Sequence, residues 1–158
     1  MSQTTLIRAA DAEVVSDAPG SLIALLAESG GFTTNRATLN QGVFGTPAHF
    51  HTRATEFFFV LDGALQVLAG DELHTLETGD FLAVPPTVPH AFGPAAGSAA
   101  DVLVVFTPGM DRFGYYRLLD RVARGEADPK EIAASSEQYD NHYVDSPRWR
   151  QARADAAA

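Results

Sequence analysis

Between Leu22 and Phe106 the chain is a succession of short apolar runs cut by Gly, Pro and Asp, with no helical period between them. Runs of that length and spacing predict an all-β sandwich or barrel. The expected strands are Leu22–Leu26, Asn35–Phe44, Glu56–Leu61, Ala64–Leu68, Glu72–Leu76, Phe81–Val84, His90–Phe92 and Val102–Phe106. Asp62-Gly63 separates two apolar runs by two residues and predicts a type I′ hairpin, whose central positions favour φ > 0. Gly70-Asp71 and Gly79-Asp80 mark further turns.

Past Pro108 the period changes. Phe113, Tyr116, Leu119 and Ala123 recur every three or four residues, and Gly125 follows as a helix stop. Asp128-Pro129 with Glu131 reads as an N-cap, a helix-compatible proline and a capping box. Ser146-Pro147 repeats the start signal, and the tail from Arg150 to Ala158 is expected to fray. The expected organisation is a β-barrel over 1–107 and a helical extension over 108–158 that packs on it.

A chain of 158 residues is long enough to bury an independent core. Eleven basic against twenty acidic residues give a formal net charge of −9, which disfavours nucleic acid as a partner. No apolar run approaches the ~18 residues of a membrane helix. Met1 to Asp11 lacks the apolar core of a leader, so a cytoplasmic protein is expected.

The absence of cysteine removes disulfides, thiolate catalysis and sulfur-ligated metal from consideration. Any metal must be held by imidazole and carboxylate, and there are only five histidines, at 49, 51, 74, 90 and 142. His49 and His51 are two apart, so on a strand both imidazoles point to one face. Glu56 follows after four intervening residues and opens an apolar strand, while His90 lies beyond Pro85 and Pro89. Imidazole plus carboxylate suits one divalent first-row ion per chain: Fe, Mn, Ni, Co, Cu or Zn. Three His and one Glu leave coordination positions open, as in catalytic sites. His74, beside Glu72 in a hairpin, and His142 are assigned to hydrogen bonding or packing instead.

Phe57-Phe58-Phe59 invites an aromatic-cage reading, but a continuous apolar run is commonly a strand buried on both faces. Alternation puts Phe58 and Val60 on the face of Glu56, and turns Phe57, Phe59 and Leu61 outward toward helices or a partner subunit. Phe58, Val60, Val84 and Phe92 are therefore the expected walls of an apolar substrate pocket.

His49-x-His51-(x)4-Glu56-(x)6-Gly63 resembles the first cupin motif, and Gly79-(x)5-Pro85-(x)4-His90 resembles the second. The resemblance covers about residues 42–92, with fifteen residues between Gly63 and Gly79, a short intermotif spacing as in bacterial cupins. Gly42 sits one place too far from His49, with Gly45 available for the turn. Thr87 and Pro94 stand where the second motif usually has glycine and often has asparagine.

The resemblance implies a single jelly-roll (double-stranded β-helix) barrel with His49, His51, Glu56 and His90 as metal ligands. Glu137-Gln138-Tyr139-Asp140 further resembles the tail of small monocupins of the quercetin 2,3-dioxygenase type. That implies a metal-dependent dioxygenase acting with O2 on an aromatic, flavonol-like substrate, with Glu56 as general base. The alternatives are a non-redox cyclase or isomerase for a polyketide-like substrate, or a non-catalytic ligand-binding cupin. Cupins of this size commonly pair through a sheet edge, so a homodimer is expected.

Overall fold

A computed structural model describes residues 3–158, so Met1 and Ser2 of the expected barrel segment lie outside the described residues. After a short 3-10 turn at Ala9–Asp11 come β1 (Glu13–Ala18), β2 (Ser21–Glu28), β3 (Thr33–Leu39), β4 (His49–Phe50) and β5 (Thr55–Ala69). β6 (Glu72–Glu77), β7 (Phe81–Val84), β8 (His90–Pro94) and β9 (Ala100–Thr107) follow. The rest of the chain forms α1 (Arg112–Ala123), α2 (Lys130–Ala134), α3 (Ser136–Tyr139), β10 (His142–Tyr143) and α4 (Pro147–Ala157). Neighbours run β1-β2-β3-β9-β5-β8-β4-β10, with β6 and β7 also on β5, and every pairing is antiparallel. The result is a curled, mainly β half-barrel with short C-terminal helices.

Period-two alternation builds the interior. β9 turns Ala100, Val102, Val104 and Phe106 inward, and β3 turns Thr33, Asn35, Ala37 and Leu39 inward. The third strand stops at Leu39, short of the expected Phe44, because Asn40 accepts from Val43 N–H in a tight turn.

The expected hairpin at Asp62-Gly63 is not there. β5 runs through it as one strand of fifteen residues, with a bulge where Val60 pairs with Val102 and Asp62 with Asp101. The inward residues are Glu56, Phe58 and Val60 before the bulge, and Leu65 and Val67 after it. That change of parity demands one extra residue, which the bulge supplies. Gly63 takes φ +74 there, and a Cβ on it would lie 2.0 Å from the Ala99 carbonyl oxygen. A D-G signal thus marks a bulge in a long strand that pairs first with β7 and β9, then with β6 and β8.

The main core packs Phe58, Val60, Leu65, Val67, Val84 and Val102 with neighbouring apolar residues. α1 starts at Asp111, whose carboxylate accepts from Gly114 N–H. It lays Phe113, Tyr115 and Tyr116 against Val15, Ile23 and Leu25. Asp128 and Glu131 form the expected reciprocal start, Glu131 Oε1 accepting from Asp128 N–H at 3.1 Å.

The last helix departs from the expected fraying. α4 is capped by Ser146 and helical to Ala157, because Trp149 and Ala152 bury against Ala48, Leu68 and Ala91. Arg153 donates from Nε to Phe44 O, from one terminal nitrogen to Val43 O and Pro94 O, and from the other to Gln66 Oε1. The amphipathic signal of this segment is weak, and the docking lies in contacts with residues more than fifty positions away.

Candidate metal centre and its cavity

β4 delivers His49, the residue just past it is His51, β5 opens with Glu56 and β8 opens with His90. His49 pairs directly with His90 across β4 and β8. Sheet pairing therefore joins two histidines that are 41 positions apart in the chain. All four side chains are buried, and one ligand atom from each lies within 4.8 Å of the others. Ring centroids are 4.5 Å apart for His49–His90, 5.1 Å for His49–His51 and 5.2 Å for His51–His90.

The outer nitrogens fix the chemistry of the inner ones. His49 Nδ1 meets Pro47 O at 2.8 Å, His51 Nδ1 meets Asp140 O at 2.7 Å and His90 Nδ1 meets Val88 O at 2.9 Å. A carbonyl oxygen only accepts, so each Nδ1 carries the proton and each Nε2 of a neutral ring presents a lone pair. Yet His90 Nε2 lies 2.6 Å and His51 Nε2 3.1 Å from Glu56 Oε2, itself an acceptor. Lone pairs held that close in a buried site need a cation among them, either an extra proton or a metal ion. The donor set, oriented by outer hydrogen bonds as metal-binding histidines usually are, fits one divalent ion.

Without metal the balance falls as electrostatics requires. Burial pushes the His49 and His51 pKa values down, and for His49 the neighbouring rings add to it. For His90 burial is the largest influence and acts downward, but the Glu56 charge and the hydrogen bonds to Glu56 and Val88 O together outweigh it and the pKa rises. Burial favours the neutral form of Glu56, yet His90 and His51 together hold its pKa well below the usual carboxylate value.

The C-terminal segment completes the centre. β10 pairs with β4, Tyr143 opposite His49 and His142 opposite Phe50. Asp140, at φ +48, offers its carbonyl to His51. Its carboxylate accepts from Thr52 N–H at 3.0 Å and Thr52 Oγ1 at 2.8 Å. Thr87, standing where the motif usually has glycine, takes the left-handed φ of +70 that a glycine would adopt without strain, and its N–H donates to His51 O. His142 stacks on Phe50 and bonds Asp140, and His74 stays in the β5–β6 hairpin beside Glu72. Both keep the supporting roles expected of them.

His49 and Glu56 open onto a cavity of about 430 Å³. Its apolar wall includes Ile23, Ala37, Leu39, Phe92, Leu119 and Ile132, and its polar wall includes Asn35, Arg112, Tyr115, Tyr116, Asn141 and Tyr143. Of the four expected pocket residues only Phe92 lines this space. Phe58, Val60 and Val84 are fully buried in the core instead. They share the inward face of Glu56, as alternation requires, but pack against Leu65, Val67 and Val102 instead of facing the open space. Phe58 edges the Phe92 ring at 5.1 Å and so backs the pocket without lining it.

Sequence reasoning missed the polar wall. Arg112 is 4% exposed and lies over the rings of Tyr115, Tyr116 and Phe106. Burial opposes its charge, but Tyr116, Tyr115 and Glu56 hold it protonated. Tyr115 and Tyr143 share a short hydroxyl–hydroxyl contact, and burial pushes the Tyr115 pKa up. The one signal in the chain was an arginine leading a Phe-Gly-Tyr-Tyr run, which the helical period alone does not separate from packing.

Residues 35–106 match the family model described as the Cupin domain. The fold is accordingly a cupin, and its buried His49, His51, Glu56 and His90 can bind one metal ion. Solved structures with this fold are similar at low identity. KdgF from Halomonas sp. is 21% identical, with a TM-score of 0.62 over 70% of this chain and 99% of that one. An RmlC-like cupin from Shewanella frigidimarina is 17% identical, with a TM-score of 0.59 over 70% and 96%. Streptomyces Pac13, a nucleoside dehydratase, is 14% identical, with a TM-score of 0.58 over 70% and 88% in its complex with uridine. No curated protein sequence matches significantly. Among the described residues no helix is long and apolar enough to cross a membrane.

Proposed function

We propose that this protein is a metal-dependent dioxygenase that acts with O2 on an aromatic, flavonol-like (quercetin-type) substrate. In this reading His49, His51, Glu56 and His90 hold one divalent transition metal ion per chain. The observation that carries it is the opening of a three-His, one-Glu cluster, through His49 and Glu56, onto a largely apolar cavity. The ion, when bound, supplies Lewis acidity toward a substrate oxygen and, if redox-active, a route for electrons to O2. The chain's own residues do the rest. Glu56, its carboxylate kept ionised by His90 and His51, accepts the proton of the substrate hydroxyl as general base. Phe92, Ile23 and Leu39 pack the aromatic skeleton and exclude water. We further propose a cytoplasmic protein and, from its outward apolar strand face, a homodimer.

The test is an anaerobic titration with a flavonol followed by absorbance, then admission of oxygen. A bathochromic shift on binding and oxygen uptake afterwards are expected. Absence of both removes the dioxygenase reading. A non-redox cyclase or isomerase for a polyketide-like substrate then takes its place, favoured by the Tyr115–Tyr143 hydroxyl pair in the same cavity. No turnover of either class would leave a ligand-binding cupin.

A further inference from the structure

The polar wall contains an arginine with no carboxylate in direct contact. Arg36, Arg117, Arg124 and Arg150 each meet a carboxylate at the surface. Arg112, far more deeply buried, is in none of these pairs. One of its terminal nitrogens donates to Asn141 Oδ1 at 3.1 Å, and its Nε–H has no partner. Asn141 is itself 2% exposed, and its Nδ2 donors are likewise unpartnered. Both residues line the cavity. The rings of Tyr115, Tyr116 and Phe106 offset the guanidinium charge by cation–π attraction but accept none of its in-plane hydrogen bonds. Buried donors left unpaired are costly, and a planar guanidinium beside an amide N–H is the geometry a carboxylate satisfies with two oxygens.

We infer that the Arg112–Asn141 wall binds the carboxylate of an aromatic acid. The inference rests on the reading above only in taking the same cavity as the substrate site; a quercetin-type flavonol carries no carboxylate, so it moves the substrate class to an aromatic acid and does not depend on the oxygen step. Two other acids face the cavity and set its polarity. Glu56 is compensated by His51 and His90. Asp17 presents a buried Oδ1 without a partner, which repels an anion and welcomes a hydroxyl donor. The ligand class is therefore a hydroxylated aromatic carboxylate, its carboxylate at Arg112 and a hydroxyl available to Asp17.

The probes are 4-hydroxycinnamate and its primary amide, which differ in charge and little in shape. Both are titrated calorimetrically into the protein as purified, without oxygen. The acid should bind about ten- to a hundredfold more tightly than the amide, the range expected for hydrogen bonds to a charged group. Asn141→Asp keeps an acceptor for Arg112, supplies the missing carboxylate and removes the Nδ2 donor. It should fold, retain its metal content and lose the preference for the acid. Arg112→Gln should lose it as well, and if that variant fails to fold, Asn141→Asp decides alone. Equal affinity for acid and amide, no binding of either, or an Asn141→Asp variant that still prefers the acid would each overturn the inference. Failure of flavonol oxidation leaves this measurement unaffected, so the two readings fall separately.

Discussion

At the residue scale, the proposed function divides the four buried donors into three that would only hold the ion and one, Glu56, that would also take a proton. His49→Ala or His90→Ala should remove most bound metal while the barrel still folds, because the core is built from Phe58, Val60, Leu65 and Val102. Elemental analysis beside circular dichroism checks this, and stoichiometric metal in both variants would sink the ligand assignment. Glu56→Gln is nearly isosteric but accepts no proton at neutral pH. It should keep part of its metal and lose activity by about 10²–10⁴-fold; turnover near the wild-type rate would make Glu56 a ligand alone. Asp140 acts one shell out, through its carbonyl on His51. Asp140→Ala keeps that carbonyl but removes the carboxylate that anchors it to Thr52 and His142 at a left-handed φ; it should weaken metal affinity by about 10–100-fold, measured by chelator competition. Burial raises the Asp140 pKa, but its bonds from Thr52 and His142 lower it more. A depressed carboxyl value stabilises the fold above the unfolded-state pKa, and the contribution fades as pH falls through the folded-state value. The stability gap between wild type and Asp140→Asn in urea should therefore be full at neutral pH and close in strong acid.

At the scale of elements, α4 is a clamp whose strength lies in one side chain. Arg153 bonds the carbonyls of Val43, Phe44 and Pro94, and Trp149 Nε1 donates to Thr46 O at 2.8 Å. These contacts tie the last helix to the loop that leads into His49 and to the end of β8. Arg153→Met keeps the stem but leaves three carbonyls without that donor. It should cost about 3 kcal/mol, seen as a lower urea midpoint with the slope unchanged. An unchanged midpoint would mean that α4 contributes little to the fold. The bulge in β5 works at the same scale: by reversing parity it keeps both Glu56 and Leu65 inside, although they are an odd number of residues apart.

For the whole molecule, the open question is the outer face of β5 and β7. Phe59, Leu61 and Phe81 are exposed, and Phe57 stacks on Phe81 at 5.7 Å. α1 covers β1 and β2 instead, so the helices leave this face bare. The homodimer proposed above would bury it. Light scattering at micromolar concentration should give twice the chain mass, and a Phe59→Asp, Phe81→Asp double variant should give the monomer mass. A wild-type monomer would defeat the pairing.

Much of this protein is legible in its sequence, because the relevant physics is local or periodic. Alternation in β3, β5 and β9 needs only the pleat, so the inward set Glu56, Phe58, Val60 and the outward set Phe59, Leu61 follow from neighbours in the chain. Alternation puts His49 and His51 on one face, and the resemblance to the two cupin motifs adds Glu56 and His90, which the pairing of β4 with β8 then joins. What the tertiary structure alone decided depends on distance across the fold. Asp62-Gly63 satisfies a hairpin and a bulge equally well, and only pairing with β9 selects the bulge. Phe58, Val60 and Val84 point the right way, but packing against Leu65, Val67 and Val102 assigns them to the core. Arg112, Asn141 and Asp140 come to the site from a segment whose local pattern reads as packing and turns. Asp140 and Asn141 reach the site because β10 pairs with β4, whereas Arg112 arrives at the start of α1, just past β9.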